Sequence, residues 1–217
     1  MRSKLLLALC LVGAISLVTT AVAEDLKPVK LPEPQLTIGK PLMEVLKARK
    51  TSRDFKDEKL SAQTLSNLLW AACGISRPDS GKRTAPSARN KQEIDVYVAT
   101  ADGLFLYEAK THSLQPILAQ DIRAATGTQD YVKSAPVNLV YVADYSRITD
   151  RDEADRLALP VADTGFISEN VYLYCASEGL STVVRALIDR EKLAAIMKLR
   201  ADQKIILAQC VGMPQSK

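Results

Sequence analysis

Apolar residues that recur at helical spacing predict six helical segments along the chain. The clearest begins at Ser61, a preferred N-cap residue, and ends at Gly74, with an apolar stripe between them. A segment over 166–176 has polar residues only at 168–170, so its second half should be buried or lie at an interface. The other four segments open at Pro41 or cover 118–125, 149–157 and 190–199.

Short runs rich in β-branched residues predict strands between these helices. Residues 94–100 and 104–107 are joined by Ala101-Asp102-Gly103, which is typical of a hairpin turn. The run 137–143 is almost entirely apolar and should be covered on both faces. Two further strands are predicted over 181–185 and 204–211. Because helices and strands mix without a regular strand–helix–strand rhythm, the pattern favours an α+β fold.

The first 40 residues differ in composition from the rest. Arg2 and Lys4 precede an apolar run over 5–18, and Ala21-Val22-Ala23 offers a small-residue cleavage site. This order predicts a signal peptide over 1–23, since the apolar run is shorter than the roughly 20 residues that span a bilayer. A retained membrane anchor is the alternative. Residues 24–40, rich in Pro and Lys, should form an extended arm, and 41–217 should form one domain.

Composition and charge exclude several classes of function. The chain has 217 residues, of which 47% are hydrophobic and 25% charged, as in ordinary globular domains. Loss of Arg2 and Lys4 with the signal peptide would lower the formal net charge from +4 to +2, which does not indicate nucleic-acid binding. Cleavage of the signal would leave a periplasmic or secreted protein without stable membrane insertion.

The single histidine, the cysteines and the lack of known phosphate-binding motifs limit the kinds of site that the chain can form. His112 is the single histidine, so one chain cannot build a multi-histidine metal site, and no metal-binding cluster has workable spacing. No phosphate-binding Walker loop or dinucleotide fingerprint is present. Cys73, Cys175 and Cys210 would remain after cleavage; an odd number cannot pair fully within one chain, and burial as hydrophobic side chains is the simpler expectation.

Three polar segments have compositions that suit a ligand. Residues 49–53 place three cations and two hydroxyl groups beside a helix end, which suits a phosphate, although such runs are commonly solvated surface. Residues 83–92 carry amides that could pair with a heterocycle edge, or form a flexible loop. Residues 163–165 precede the apolar helix, where a glycine permits close backbone approach, or simply begin that helix.

In order along the chain, these segments resemble the FMN-dependent nitroreductase family, especially its branch related to the thiazole- and oxazole-forming dehydrogenases. Residues 49–55 are similar to R-R-S-x-R-x-F, 65–74 to L-S-x-L-L-W-A-A-x-G, and 83–92 to R-T-x-P-S-A-x-N-x-Q. Residues 163–180 resemble D-x-G, Q-N and G-L at similar spacing, and 211–214 resemble V-G-Y-P. The resemblance runs from about residue 41 to the end and implies a central, mainly antiparallel sheet flanked by helices.

The resemblance implies a non-covalent FMN shared between the two copies of a homodimer. Arg49, Lys50 and Thr51 would hold the phosphate and the ribityl chain. Arg53 would lie near the N1 and O2 edge of the flavin, where a cation stabilises the reduced, anionic ring. Lys217 would replace a cation that comes after V-G-Y-P in many family members.

The resemblance also implies which residues contact the flavin ring. Pro86, Ser87 and Asn90 would reach the ring from the partner subunit, and Thr164 and Gly165 would place backbone groups near N5. The family rarely uses a side-chain acid or base, so no catalytic side chain is implied.

The sequence departs from the family motifs in ways that bear on specificity. Arg89 and Glu93-Ile94 stand where small residues and Pro-Trp are frequent, so the substrate pocket should differ. The implied activity is hydride transfer through flavin N5 to or from a small organic substrate. A flavin-binding carrier or sensor without turnover is the alternative.

Overall fold

The computed structural model describes residues 26–215, in which seven strands form one antiparallel sheet. The strands are β1 (Val29–Lys30), β2 (Ile75–Arg77), β3 (Lys82–Arg83), β4 (Ile94–Thr100), β5 (Gly103–Glu108), β6 (Ser113–Leu118), β7 (Val137–Asp144), β8 (Ser181–Arg185) and β9 (Gln203–Gly212). The helices are α1 (Leu42–Ala48), α2 (Ala62–Cys73), α3 (Glu153–Glu178) and α4 (Arg190–Met197). The sheet order is β1-β6-β5-β4-β7-β9-β8, and β2 pairs with β3 separately. The α+β prediction is therefore confirmed.

The two faces of the sheet carry separate cores. Alternate residues of β4 and β7 point to opposite faces, as strand geometry requires. Val98 and Leu139 pack with α2 and α3 on one face, whereas Ala99 and Val140 pack with α4 on the other. Every residue of β7 is buried, which confirms the expectation for the apolar run 137–143.

The predictions of a helix capped by Ser61 and of a hairpin at 101–103 are confirmed. The Ser61 Oγ accepts the Thr64 N–H at 3.0 Å and so caps α2, which ends at Cys73 before Gly74. Strands β4 and β5 pair across the predicted turn, with Thr100 opposite Gly103.

The helix predicted over 166–176 and residues 153–157 of the helix predicted over 149–157 belong to one helix, α3. It is capped by Asp152, runs for 26 residues and contains Pro160 in its interior. Proline removes one helix hydrogen bond. The helix continues through it because Pro160, Asp163 and Thr164 are buried against the rest of the chain, and this packing outweighs the local signal.

The helix predicted over 118–125 is also wrong. Strand β6 ends at Leu118, and a 3₁₀ turn covers Arg123–Thr126. The strand forms because β5 and β1 pair with it on either side, a non-local contact that no periodicity of its own sequence reveals.

Residues 29–30 of the N-terminal arm form β1 and join the sheet edge. Val29 pairs with Leu114, and the Leu31 N–H donates to the His112 carbonyl at 3.1 Å. The predicted signal peptide, 1–23, lies outside the described residues. Across the part of the chain that the structure describes, no helix is long and apolar enough to cross a membrane. Its three cysteines are all buried and unpaired.

Candidate functional site

The cationic segment at residues 49–53 leaves the end of α1 and runs beside β8. The Arg49 N–H closes the helix by donating to the Val45 carbonyl at 2.8 Å. The Ser52 N–H donates to the Thr182 carbonyl at 2.9 Å, and Phe55 is buried just beyond. These contacts fix the backbone of the segment and leave its long side chains at the surface.

A buried tyrosine on α3 organises this segment, and sequence reasoning did not single it out. The Tyr172 hydroxyl lies 3.1 Å from the Thr51 Oγ1 and accepts the Val184 N–H at 3.0 Å. The Arg49 guanidinium lies 5.3 Å from the centroid of the same ring, within cation–π range. The only sequence signal for Tyr172 is a side chain with a polar tip inside an otherwise apolar stretch.

The cations of this segment are available to bind an anion. Among the described residues, none of Arg49, Lys50 and Arg53 forms an ion pair with a carboxylate. Arg49 is half-buried, whereas Lys50 and Arg53 are exposed. A cleft of about 320 Å³, lined by Lys50, Ser52 and the end of α3, opens beside them.

The polar loop at 86–90 packs on the first half of α3. The Ala88 N–H donates to the Asp163 Oδ2 at 3.1 Å, and the Ser87 Oγ accepts the Gln92 N–H at 2.9 Å. The Asn90 Oδ1 accepts from the Gln92 Nε2 at 2.9 Å. Pro86 and Asn90 of this loop are exposed to solvent.

The backbone of this loop is held in a costly conformation. Arg89, Asn90 and Gln92 have φ values of 51°, 56° and 49°, in the left-handed region that residues other than glycine seldom occupy. Three such residues among four positions require surrounding contacts to hold them, and conformations of this kind cluster at functional sites.

Thr164 and Gly165 lie in the middle of α3, not at the start of a helix as the sequence suggested. Backbone N–H groups in a helix interior donate to carbonyls four residues earlier, so they are not free to bind a ligand. Gly165 instead offers open surface, because a Cβ placed there would meet nothing within 4 Å. Thr164 is fully buried, and its Oγ1 has no hydrogen-bond partner among the described residues.

Helix α3 therefore brings the predicted segments to one element. The loop docks at Asp163, the open surface lies at Gly165, and the cationic segment docks at Tyr172. Tyr172 lies eight residues after Thr164, which is about 12 Å along a helix. The predicted contact Lys217 lies outside the described residues.

His112 lies elsewhere, in a buried structural network. Its Nε2 is 2.7 Å from the Ser66 Oγ, and its Nδ1 is 2.9 Å from the Tyr107 hydroxyl. Because the Ser66 hydroxyl donates to the Pro32 carbonyl at 2.5 Å, it must accept from His112, and Tyr107 must donate. With its proton committed and its side chain fully buried, Ser66 is not placed to act as a nucleophile.

Comparisons with known proteins agree with this arrangement. The model of the family described as "Nitroreductase family" matches residues 46–213, well over half of the chain. A nitroreductase-type protein of Methanocaldococcus jannaschii is 32% identical over 171 residues, which are 73% of this chain and 85% of that protein.

Solved structures show the same fold. The crystal structure of a nitroreductase-type protein from Ralstonia eutropha JMP134 has a TM-score of 0.85 and 42% identity, covering 99% of this chain and 97% of that one. The NADPH:FMN oxidoreductase of Vibrio harveyi, at 19% identity, has a TM-score of 0.61 over 81% of this chain and 69% of that one, and so shares the fold. The matched segments, the antiparallel sheet and the family model together show that this chain belongs to the nitroreductase family of oxidoreductases.

Proposed function

We propose that this chain is an exported, FMN-dependent oxidoreductase that transfers hydride through flavin N5 to or from a small organic substrate. One observation carries the proposal, the arrangement along α3. Cations without an ion pair among the described residues and a hydroxyl group gather at Tyr172, and open surface lies at Gly165, about 10 Å away along the helix. This arrangement suits a ligand with an anionic tail and a planar ring.

The residues at the Tyr172 end fit a phosphate. Arg49 and Lys50 supply a planar fork and a point charge, and neither is paired with a carboxylate of the described chain. The Tyr172 oxygen accepts the Val184 N–H and can donate its own proton to the Thr51 Oγ1. Thr51 then keeps its hydroxyl proton for a phosphate oxygen. Lys217 is a further proposed phosphate contact.

The residues at the Gly165 end fit the flavin ring. The glycine leaves room for a flat group, and the buried Thr164 Oγ1 is a polar atom that lacks a partner among the described residues. Pro86, Ser87 and Asn90 lie on the loop that docks on α3 at Asp163, and the second copy's loop would cover the ring. Bound FMN supplies the atom that accepts and donates hydride, N5. Arg53 would favour the reduced ring by opposing the negative charge at N1.

Exposed apolar side chains support a homodimer. Leu157, Val161 and Phe166 on α3 are 62%, 54% and 48% exposed, and Leu42 and Met43 on the neighbouring α1 are more than half exposed. Large apolar groups concentrated in this way mark interaction surfaces. A second copy covering them would bring its own 86–90 loop to the site, as the family resemblance implies.

A flavin carrier or sensor without turnover would use the same residues for binding. The two functions differ in the fate of the electrons once the flavin is reduced. An enzyme passes them to a substrate in repeated cycles, whereas a carrier does not.

The purified protein tests both the cofactor and the export. Protein recovered from the exported fraction should begin at Glu24 by intact-mass measurement, show flavin absorbance and release FMN on denaturation. Arg49→Ala should lower FMN retention, while Lys47→Ala, an exposed cation nearby on α1, should not. An anaerobic screen of electron donors and acceptors then separates enzyme from carrier. A colourless protein that cannot be reconstituted with FMN would rule out both functions, and a species retaining residues 1–23 would rule out the proposed processing.

A further inference from the structure

Glu93 is an acidic residue whose carboxylate forms no ion pair among the described residues. It comes directly after the 86–92 loop, at the start of β4, and is 0% exposed. Both of its carboxylate oxygens are buried without a hydrogen-bond partner among the described residues. Its backbone is fixed, because the Asp144 N–H donates to its carbonyl at 2.8 Å. An ionised carboxylate buried in this way is costly unless it gains a partner or a proton.

The group that faces Glu93 is a second carboxyl, that of Asp163 on α3. Asp163 is 3% exposed, and its carboxyl is close enough to raise the pKa of Glu93 in addition to the effect of burial. Asp163 also accepts the Ala88 N–H through its Oδ2. The two acids therefore connect the start of β4, the loop and α3 at one point.

Of the two arginines around this pair, Arg147 is engaged with other groups, whereas the Arg83 Nε is buried without a hydrogen-bond partner among the described residues. Arg147 faces Glu93 from the turn after β7, but it donates to the Gln92 carbonyl at 2.8 Å and pairs with Asp95 at 2.9 Å. On the Asp163 side, a small cavity is lined by Arg83 and by Cys73, whose pKa burial raises to about 11, so that the thiol is neutral.

Protonation of one carboxyl group removes the charge repulsion between the two acids. Burial, reinforced by the adjacent Asp163 carboxyl, raises the pKa of Glu93 from 4.5 to about 7. Two carboxyl groups in contact with one proton between them form an O–H···O bond, whereas two carboxylates repel each other.

We propose that Glu93 and Asp163 share one proton and that the resulting bond holds the 86–90 loop on α3, in the conformation in which Pro86, Ser87 and Asn90 can reach the flavin ring between the two copies. Glu93 is then a positioning residue for the flavin ring, a role that rests on the proposed function. It occupies a position where the family frequently has proline, which cannot form such a bond. Loss of the proton would push the loop away from α3 and weaken flavin binding.

The matched variants are Glu93→Gln and Asp163→Asn. Each replaces one acid with a neutral amide of the same shape, which can donate to the remaining carboxylate at every pH. Glu191→Gln, an exposed acid on α4, is the control. Two readouts of the full mature protein are taken between pH 5 and 9: FMN affinity by fluorescence titration, and unfolding of the FMN-free protein by denaturant.

The unfolding series tests the shared proton without FMN. A proton held by the folded state and not by the unfolded state stabilises the fold at low pH, and that contribution is lost as pH rises from 4.5 through 7. The folding equilibrium constant of the wild type and of Glu191→Gln should fall relative to Glu93→Gln by up to about tenfold per pH unit in that window. Coincident curves for the wild type and Glu93→Gln would overturn the shared proton, whether or not FMN binds.

The affinity series tests the positioning role. The FMN affinity of the wild type should decline above about pH 7 relative to that of Glu93→Gln and Asp163→Asn. Titration of the FMN phosphate affects every variant equally and therefore cancels in this comparison. A constant affinity ratio between wild type and Glu93→Gln, with the stability difference present, would overturn the positioning role alone. Absence of FMN binding in every variant would defeat the proposed function while leaving the stability test of the pair intact.

Discussion

At the scale of single residues, the cations of the 49–53 segment have separable roles. Arg49 is half-buried over the Tyr172 ring, so its guanidinium is held in place before any ligand binds. Arg53 follows Ser52, is exposed, and has no contact of this kind among the described residues. Arg49 is therefore suited to bind the permanent charge of a phosphate. Arg53 is suited to stabilise the negative charge that develops on the flavin ring when it is reduced.

Substitution of the two arginines should therefore have different effects. Arg49→Ala should weaken FMN retention, because it removes a phosphate contact. Arg53→Ala should lower the reduction potential by about 30 mV, which corresponds to about 1.4 kcal/mol for a two-electron couple, with a smaller loss of affinity. Spectroelectrochemical titration of both variants, with Lys47→Ala as the control, measures the shift. An unchanged potential in Arg53→Ala would show that this residue is not beside N1.

At the scale of elements, the His112 network joins the N-terminal arm to the body of the protein. Ser66 on α2 and Tyr107 on β5 hold the imidazole, and Ser66 also binds the arm at the Pro32 carbonyl. The hydrogen bond from Tyr107 to Nδ1 requires a neutral imidazole, whereas the bond from Nε2 to Ser66 forms in either protonation state. Burial lowers the pKa of His112 below its ordinary value of 6.5.

Acid should therefore weaken this network. Because the folded state binds the His112 proton less readily than the unfolded state, the stability contribution of this site is full above about pH 6.5 and falls as pH decreases through the lowered pKa. In denaturant titrations, the wild type should lose stability between pH 6.5 and 5 relative to His112→Gln, which does not titrate. Parallel curves for the two proteins would contradict this role. Tyr107→Phe should cost about 1–3 kcal/mol at pH 7, since it leaves the Nδ1 without a donor.

At the scale of the whole molecule, the apolar surface on α1 and α3 is expected to lie between two copies of the chain. The second half of α3, predicted to be too apolar for solvent, packs mainly within its own chain through Val171, Tyr172 and Cys175. The exposed apolar residues of α3, Leu157, Val161 and Phe166, lie instead on either side of Gly165. An interface there would border the flavin site directly.

Light scattering of the flavin-bound protein should give the mass of a dimer. Val161→Glu and Phe166→Glu should shift the protein towards monomer and reduce FMN retention together, because charge is costly in an apolar interface. Ile117→Glu, at a partly exposed position on β6, should leave the mass unchanged. A wild-type monomer that still holds FMN would contradict a shared site.

The sequence by itself determined the fold class, the hairpin, the central strand and the family. These rest on local signals, such as the Ser61 cap, the turn at 101–103 and the apolar run 137–143, and on motifs whose order is preserved. It also singled out the two polar segments that the structure places along α3, at Tyr172 and at Asp163.

Only the tertiary structure decided how those segments relate. The unbroken course of α3 through Pro160 and the pairing of β6 depend on packing and on partner strands distant in sequence, which outweigh local propensity. Tyr172 and Asp163 matter because of the segments that dock on them, and Glu93 matters because its carboxyl is buried against another acid. These properties depend on burial and on contacts between residues distant in sequence, which local sequence patterns do not reveal.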